Sequence, residues 1–345
     1  MRSVLVTGGA GFIGASFVHH ILARRPDVAV VTLDALTYAG SRANLPLDPR
    51  HTFVHGDICD TALVRRLLEA HRIDTVAHFA AETHVDRSLL SPDAFLRTNV
   101  LGTAALLEAA RQVWAGDRGC RFHQVSTDEV YGDLTPDAPE SREGDPYRPS
   151  SPYAASKASA DHLAWAWRRS HRLPVSSHLA ANTYGPRQFP EKLLPLFVLR
   201  ALRGEPLPVY GDGLQIRDWL HVDDHCAAVL AILEGPEGRA WNVSGGVQVR
   251  NLDLIHHLCE TLDALRPSSQ PHARLITHVA DRPGHDRRYA VDASALRAEL
   301  GWSPSRDWRA GVAETVRWYL DNPDWISAIQ SSPAYQSWLR RRYGR

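Results

Sequence analysis

The chain has 345 residues, and its 39 Lys and Arg balance 39 Asp and Glu, giving a formal net charge of zero and a pI near 7.3. No global basic field argues for nucleic acid, and no apolar run approaches the ~18 residues of a membrane span, so neither partner is expected. The length suffices for a large buried core, either as one big α/β domain or as a large domain plus a small one.

In chain order, Ser3–Thr7 reads as a strand and Phe12–Arg24 as a helix. Between them, Val4-Leu5-Val6-Thr7-Gly8-Gly9-Ala10-Gly11-Phe12-Ile13-Gly14 sets glycines at the turn, where backbone meets a pyrophosphate, and where helix packs on strand. The helix N-terminus then faces phosphates. A strand is expected at Val28–Leu33. Asp34 follows it, placed to accept hydrogen bonds from an adenosine ribose; an acid there repels a 2′-phosphate, which favours NAD over NADP. Further on, Thr52–His55 reads as a strand, Thr61–His71 as a helix, Thr75–Phe79 as a strand, Pro92–Trp114 as one long helix and Arg121–Thr127 as a strand. Pro152 opens another helix, which leads to a strand at Val175–Ala180. The stretch Asp133–Ser151, with its prolines and charges, reads as a surface loop. Such alternation predicts an α/β fold, a Rossmann-like doubly wound parallel sheet with a smaller C-terminal substrate-binding lobe. Residues 1–184 are expected to form the dinucleotide domain with the catalytic groups. Residues 185–345 are expected to form mainly the substrate lobe, with segments crossing back to the sheet.

Only two of the positive residues are lysines, Lys157 and Lys192. Lys157 lies one helical turn after Tyr153 in Ser151-Pro152-Tyr153-Ala154-Ala155-Ser156-Lys157, so the two share a face. An ammonium beside a phenol favours the phenolate and makes tyrosine usable as a base. In Val125-Ser126-Thr127-Asp128-Glu129 a strand ends in two adjacent acids, at the sheet edge where such folds hold ligands. Cys59, Cys120, Cys226 and Cys259 are far apart and read as free thiols in a reducing cytoplasm. The eighteen histidines show no convincing ligand pair, so no metal is expected. The chain opens on a strand, so no signal peptide is expected. Arg340-Arg341-Arg342 reads as a solvated face.

Gly-x-x-Gly-x-x-Gly together with Tyr-x-x-x-Lys resembles the extended short-chain dehydrogenase/reductase family. Asp57-Ile58, Phe79-Ala80-Ala81-Glu82-Thr83 and Thr98-Asn99-Val100 add local matches. Thr127-Asp128-Glu129 narrows the resemblance to the nucleotide-sugar 4,6-dehydratases, as do His84-Val85-Asp86-Arg87-Ser88, Phe189-Pro190-Glu191-Lys192-Leu193, Gln215-Ile216-Arg217-Asp218-Trp219, Asp281-Arg282-Pro283-Gly284-His285-Asp286 and the tail Ala334-Tyr335-Gln336-Ser337-Trp338. The resemblance implies a cytoplasmic homodimeric lyase that converts dTDP-glucose to its 4-keto-6-deoxy product through tightly bound NAD. By it, Thr127, Asp128, Glu129, Tyr153 and Lys157 are catalytic. Gly8, Gly11, Phe12, Ile13, Gly14, Asp34, Ala35, Leu36, Thr37, Asp57, Ile58, Phe79, Ala80, Ala81, Thr83, Thr98, Tyr153, Lys157 and Thr183 hold the cofactor. Thr83, Thr127, Asn182, Lys192, Leu193, Arg217, Asn251, Asp281, Arg282, Pro283, Gly284 and His285 hold the sugar nucleotide, with Pro208, Val209 and Tyr210 framing its base. The dimer is expected to pack through helices around Pro92–Trp114 and Tyr153–Arg169, with Ala104, Leu107 and Ala110 as compatible apolar positions. One position departs from that family, which has two asparagines before Tyr-Gly-Pro. Here Asn182-Thr183 stands, with Thr183 where the nicotinamide end is ordinarily touched. The Asp133–Ser151 loop also reads as shorter than in bacterial relatives. Two rival readings exist: a nucleotide-sugar 4-epimerase or decarboxylase, which needs no acid pair to expel a 6-hydroxyl, and a catalytically silent NAD-binding regulatory protein, which needs none of the set.

Overall fold

The computed structural model describes residues 1–116, 119–332, 335–337 and 340. Of the tail residues noted above, Ala334, Trp338, Arg341 and Arg342 lie outside the described residues. The N-terminal half alternates as the sequence predicts: β1 (Ser3–Thr7), α1 (Phe12–Arg24), β2 (Ala29–Asp34), β3 (His51–His55), α2 (Thr61–Ala70) and β4 (Thr75–His78). β1, β2 and β4 are almost wholly buried, which explains their near-continuous apolar runs, because a parallel sheet is covered on both faces.

The helix expected over Pro92–Trp114 is not one regular helix. α3 (Val85–Leu90) precedes it, α4 (Pro92–Phe95) is a single turn, Leu96–Gly102 is π-helical, and α5 (Thr103–Val113) completes it. Thr103 Oγ1 donates to Asn99 O at 2.6 Å inside that segment. Gly102 sits where a Cβ would come within 2.5 Å of Ile58 Cδ1, so glycine lets the widened helix lie on α2's neighbour turn. Leu107 and Ala110 are fully buried in the subunit's own core and Ala104 is half-buried, so Leu107 and Ala110 are not open to a partner. The large apolar residues left exposed in this region are Leu89, Leu90, Leu96 and Leu101.

β5 (Arg121–Thr127) and β6 (Val175–Ala180) flank α6 (Pro152–His171), which Ser151 caps by accepting from Ala154 N at 3.1 Å. Beyond residue 180 come β7 (Asn182–Tyr184), α7 (Leu193–Leu202), β8 (Leu207–Tyr210), β9 (Ile216–His221), α8 (Val222–Glu234), β10 (Ala240–Val243), β11 (Gln248–Arg250), α9 (Asn251–Leu265), β12 (Ile276–Val279), α10 (Ser294–Leu300), α11 (Trp308–Asp321) and α12 (Pro323–Gln330).

The main sheet has the order β10-β6-β5-β4-β1-β2-β3, every pair parallel. Its direction of growth reverses between β1 and β4, which opens a crevice at the strand C-termini. The edge strand β10 and α8, whose Val222, Cys226 and Val229 pack with Phe17, Val18 and Ile21 of α1, come from the C-terminal half. A second core lies among α7, α9 and α11, built on Phe197, Leu254, Leu258, Val312 and Tyr319. Two small sheets, β11-β9-β7 and β12-β8, connect the two regions.

Candidate active site

β1, β4, β5 and β6 end on one edge of the sheet, and the predicted groups gather there. Gly8 has φ +67°, and a Cβ on it would meet the Ala80 backbone at 2.6 Å; one on Gly14 would meet Gly8 O at 2.3 Å. Both glycines are therefore demanded by the chain's own close packing. Gly11 is different: only Gly8 O stands near its absent Cβ, at 3.3 Å, and as N-cap of α1 it offers no side chain to the first-turn N–H groups of Phe12, Ile13 and their neighbours. Those donors, with the positive end of the helix, suit a phosphate. Asp34 accepts from Leu36 N at 2.8 Å and Ala10 N at 2.9 Å. Burial pushes its carboxyl up, and these two N–H groups pull it back. Leu36 takes a left-handed φ of 49° as the chain wraps this acid, and Ala35 and Thr37 stand exposed beside it. This donor set fits a dinucleotide carrying a free ribose diol.

The other expected cofactor residues are less uniform. Asp57 caps its own turn through Cys59 N at 2.9 Å and pairs with Arg97 at 3.6 Å. The Ile58 side chain is buried under Gly102, so only its backbone is free to face a ligand. Phe79 packs on Phe17 with centroids 5.3 Å apart, and Ala80 N donates to Thr7 Oγ1 at 3.3 Å. Ala81, Thr83 and Thr98 are half-buried. Asn99 pins the same stretch, accepting from Glu82 N at 2.8 Å and donating to Glu82 O at 3.0 Å.

At the end of β5 the chain enters a 3₁₀ turn, Asp128–Tyr131, capped by Thr127, whose Oγ1 accepts from Glu129 N at 3.4 Å and donates to Asp128 Oδ1 at 3.3 Å. Burial first, then the charges of Glu129 and Asp218, hold the Asp128 carboxyl well above the usual range. Glu129 is also raised by burial, but Arg282, Arg217 and Lys192 pull it down. Both adjacent acids are thus raised, Asp128 the more strongly, and the three nearby cations make Glu129 the readier of the two to give up its proton. The Tyr153 hydroxyl is pushed up by burial and by the Glu129 charge, and a hydrogen bond with Thr127 pulls it down. Lys157 does not meet the phenol as its strongest neighbour. Its Nζ donates to Val125 O at 2.5 Å, burial lowers its pKa, and the carboxylate that raises it is Asp161, a residue the sequence reading passed over.

Beyond this floor a cleft is lined by Thr83, Glu129, Asn182, Thr183, Lys192, Leu193, Pro208, Val209, Tyr210, Arg217, Asn251, Arg282 and His285. Thr127, Asp281, Pro283 and Gly284 do not line it. Asp281 stays exposed and acts on two lining residues, accepting from Gln215 Nε2 at 3.0 Å and bonding His285 Nδ1 at 2.6 Å. Arg217 is buried beneath the cleft, donating to Asp286 O at 2.9 Å and lying 4.4 Å over the Tyr289 ring. Lys192 Nζ donates to Thr83 O at 3.0 Å.

The structure adds His84, Asp86, Gln188, Glu191 and Gln215 to the walls. Asp86 accepts from Tyr210 Oη at 2.9 Å and Arg282 Nη1 at 3.2 Å. Burial raises Glu191 to about 7. Glu191 and Gln215 lay in the same short runs as Lys192 and Arg217, and His84 and Asp86 in the run His84–Ser88, but a lone acid or amide there reads as a surface group; Gln188 falls outside every such run. Buried atoms without a hydrogen-bond partner concentrate in these walls: Asn182 Oδ1, Asn251 Oδ1, Gln188 Oε1, Gln215 Oε1, His84 Nδ1 and Arg282 Nε. Buried polar atoms are rarely left unpaired, so the cleft is shaped for a highly polar ligand.

Thr183 ends a buried string of three histidines. Its Oγ1 donates to Ala181 O at 3.2 Å and accepts from His225 Nδ1 at 2.8 Å. His178 Nε2 lies 2.7 Å from His225 Nε2, His123 Nε2 lies 2.7 Å from His178 Nδ1, and Ser176 Oγ lies 3.0 Å from His123 Nδ1. A neutral imidazole has one N–H, so the donors all run in one sense, from Ser176 to Thr183. Burial alone drops His225 to about 3. Above pH ~6.5 His225 is neutral both folded and unfolded. Between about 6.5 and 3 the unfolded chain binds a proton that the folded chain refuses, so stability is lost as pH falls through that window. His225→Gln is therefore expected to cost stability at pH ~7.5, with the deficit shrinking by about 1.4 kcal/mol per unit below pH ~6.5. Urea unfolding of both proteins across this range checks it; a pH-independent difference means the buried imidazole protonates in place.

A doubly wound sheet with a dinucleotide crevice, a Tyr153/Lys157 helix face and a polar cleft opening over them defines an enzyme of the short-chain dehydrogenase/reductase class. The family model described as GDP-mannose 4,6 dehydratase matches residues 5–315. The dTDP-glucose 4,6-dehydratase of Salmonella typhimurium is 48% identical over 99% of this chain and 98% of its own length, and that of Xanthomonas campestris pv. campestris is 50% identical over 95% and 96%. The crystal structure of DesIV, the dTDP-glucose 4,6-dehydratase of Streptomyces venezuelae, holds NAD and superposes with a TM-score of 0.87 at 45% identity, covering 95% of this chain and 99% of that one. The chain belongs to the dTDP-glucose 4,6-dehydratase family.

Proposed function

We propose that this protein is a dTDP-glucose 4,6-dehydratase, a hydro-lyase that forms the 4-keto-6-deoxy sugar nucleotide. The observation that carries this reading is the adjacent acid pair at the strand end beside Tyr153, Asp128 held the more strongly toward its protonated form and Glu129 facing the charges of Arg282, Arg217 and Lys192. A 4-epimerase has no use for such a pair. The relatives of this length and identity bear the dehydratase name, and DesIV holds NAD in the same fold.

NAD held in the crevice of Gly8, Gly11 and Asp34 supplies a hydride acceptor that takes hydrogen from C4 and returns it at C6. Tyr153 takes the proton of the sugar 4-hydroxyl, which Thr127 orients through its own hydroxyl. The 4-ketone acidifies C5–H, and Glu129 removes that proton; a proton returns to C5 when hydride reaches C6. Asp128, kept neutral by its surroundings, gives its proton to the departing 6-hydroxyl. Arg217, Arg282 and Lys192 provide the positive charge a diphosphate needs, and all three also hold Glu129 toward its anionic form. Pro208, Val209 and Tyr210 stand at the far wall, where the base would lie.

Turnover measured across dTDP-, UDP- and CDP-glucose tests the reading, with the 4-keto product followed by its absorbance in alkali. Preference for dTDP-glucose is expected, and 4-epimerised sugar without a 4-keto product would overturn it. A homodimer in the cytoplasm goes with this assignment. Its support is the exposed leucines Leu89, Leu90, Leu96 and Leu101 on the segments that pack against α6, large apolar groups of the kind that partners cover. A monomer in sedimentation equilibrium at micromolar concentration would remove the dimer. Among the described residues, no helix is long and apolar enough to cross a membrane, and no group of three or more His, Cys, Asp or Glu could hold a metal ion.

A further inference from the structure

Asp161 is a buried charge that the reaction above does not use. It lies one helical turn beyond Lys157 on α6 and is 1% exposed. Its Oδ2 accepts from Ser126 Oγ at 2.5 Å and from Tyr147 Oη at 3.4 Å, while Oδ1 has no partner. Ser126 is the β5 residue next to Val125, whose carbonyl receives the Lys157 N–H. Strand, helix and the Asp133–Ser151 loop thus meet at one carboxylate. An ammonium so deeply buried keeps its charge only with an opposite charge nearby, because a carbonyl alone does not repay its desolvation. The other titratable groups around the pair do not supply that charge. His78 of β4 and His178 of β6 are neutral and feel Lys157 as a like charge, and Tyr131, Tyr147 and Tyr153 all have their ionisation opposed by Asp161.

We propose that Asp161 is the positioning residue of Lys157: its carboxylate, fixed by Ser126 and Tyr147, is the counter-charge that keeps the ammonium in place beneath the cleft. The proposal rests on the dehydratase reading only where it concerns turnover. Its consequence is that the catalytic lysine is governed from the loop side of the molecule, through Tyr147, and not only by whatever binds in the crevice. Burial raises Asp161 itself to about 6, with Lys157, Ser126 and Tyr147 opposing the rise. Near that pH the counter-charge is lost as pH falls.

The chain's two lysines make a direct measurement possible. Protein labelled with ¹³C at lysine Cε gives two side-chain signals, assigned with Lys192→Arg. In the wild type the Lys157 signal is expected to show a small inflection near pH 6 as Asp161 titrates, besides its own titration at higher pH. Asp161→Asn, which keeps shape and the Ser126 contact, is expected to abolish that inflection. It should also lower the Lys157 midpoint by at least about one unit, a tenfold change in proton affinity. Asp161→Glu should recover part of the shift. Tyr147→Phe, which leaves the acid in place, should move the inflection upward. In turnover, the alkaline limb of kcat should move down with the lysine in Asp161→Asn while KM holds. An unchanged Lys157 midpoint in Asp161→Asn, or no inflection in the wild type, overturns the proposal. Absence of dehydratase turnover in the wild type, with the NMR shifts as expected, would instead sink only the reaction assignment.

Discussion

Glu129→Gln is expected to lower turnover by about 10²- to 10⁴-fold, the usual share of one positioned proton transfer, without preventing the first oxidation of the sugar. The amide keeps the size of the side chain and its place on the cleft wall among Arg217, Arg282 and Lys192, so binding should change little. What it cannot do is accept the C5 proton. Stopped-flow absorbance should therefore show slow reduction of bound nicotinamide on mixing with the sugar nucleotide. Product analysis in heavy water should find no deuterium at C5 and no 4-keto-6-deoxy sugar. Removing the negative charge also relieves Tyr153, whose ionisation Glu129 opposes more than any other group, so the first step should need less alkaline conditions than in the wild type. Wild-type turnover with deuterium at C5 would take Glu129 out of the mechanism.

Tyr153→Phe separates the two halves of the reaction in the opposite way. The ring packs edge-on to Phe95 with centroids 6.3 Å apart, and phenylalanine preserves that contact, so the fold should survive. Without the hydroxyl no group takes the 4-hydroxyl proton, and bound nicotinamide should stay oxidised however long the sugar nucleotide is present. A loss of at least about 10²-fold is expected, with sugar-nucleotide affinity by calorimetry unchanged. The Thr127 hydroxyl loses its phenol partner as well, and Asp128 then becomes its sole side-chain contact among those described. Rapid nicotinamide reduction in this variant would show that another base serves the first step.

The local parts of the molecule were legible residue by residue. β1, α1, β5 and β6 have the bounds expected from their apolar runs, and the glycine turn, Asp34 and the acid pair fall where a strand-turn-helix unit must put them. The long helix after Pro92 was less legible. Its apolar periodicity is helical throughout, but the choice between a regular and a π-helical turn at Leu96–Gly102 depends on what Gly102 and Asn99 meet, namely Ile58 and Glu82. Leu107 and Ala110 were compatible with an interface and equally with the subunit's own core, because an apolar stripe does not say which neighbour will cover it; they lie in the core.

Sequence order by itself determined the crevice, the shared helix face of Tyr153 and Lys157, and the two acids in a row, because each is a matter of spacing over a few residues. Only the tertiary structure decided the charges those groups carry. Asp128 and Glu129 are chemically near-equal in sequence, and they part because burial and the charges of Glu129 and Asp218 raise the first, with Arg217 alone among the cations opposing, while Arg282, Arg217 and Lys192 from distant segments all oppose the rise of the second. Likewise the histidine string and the Asp161 counter-charge join residues 35 to 55 positions apart across β5, β6 and α6 or α8. Proton affinity follows burial and the sum of surrounding charges, and neither exists until the chain has closed around them.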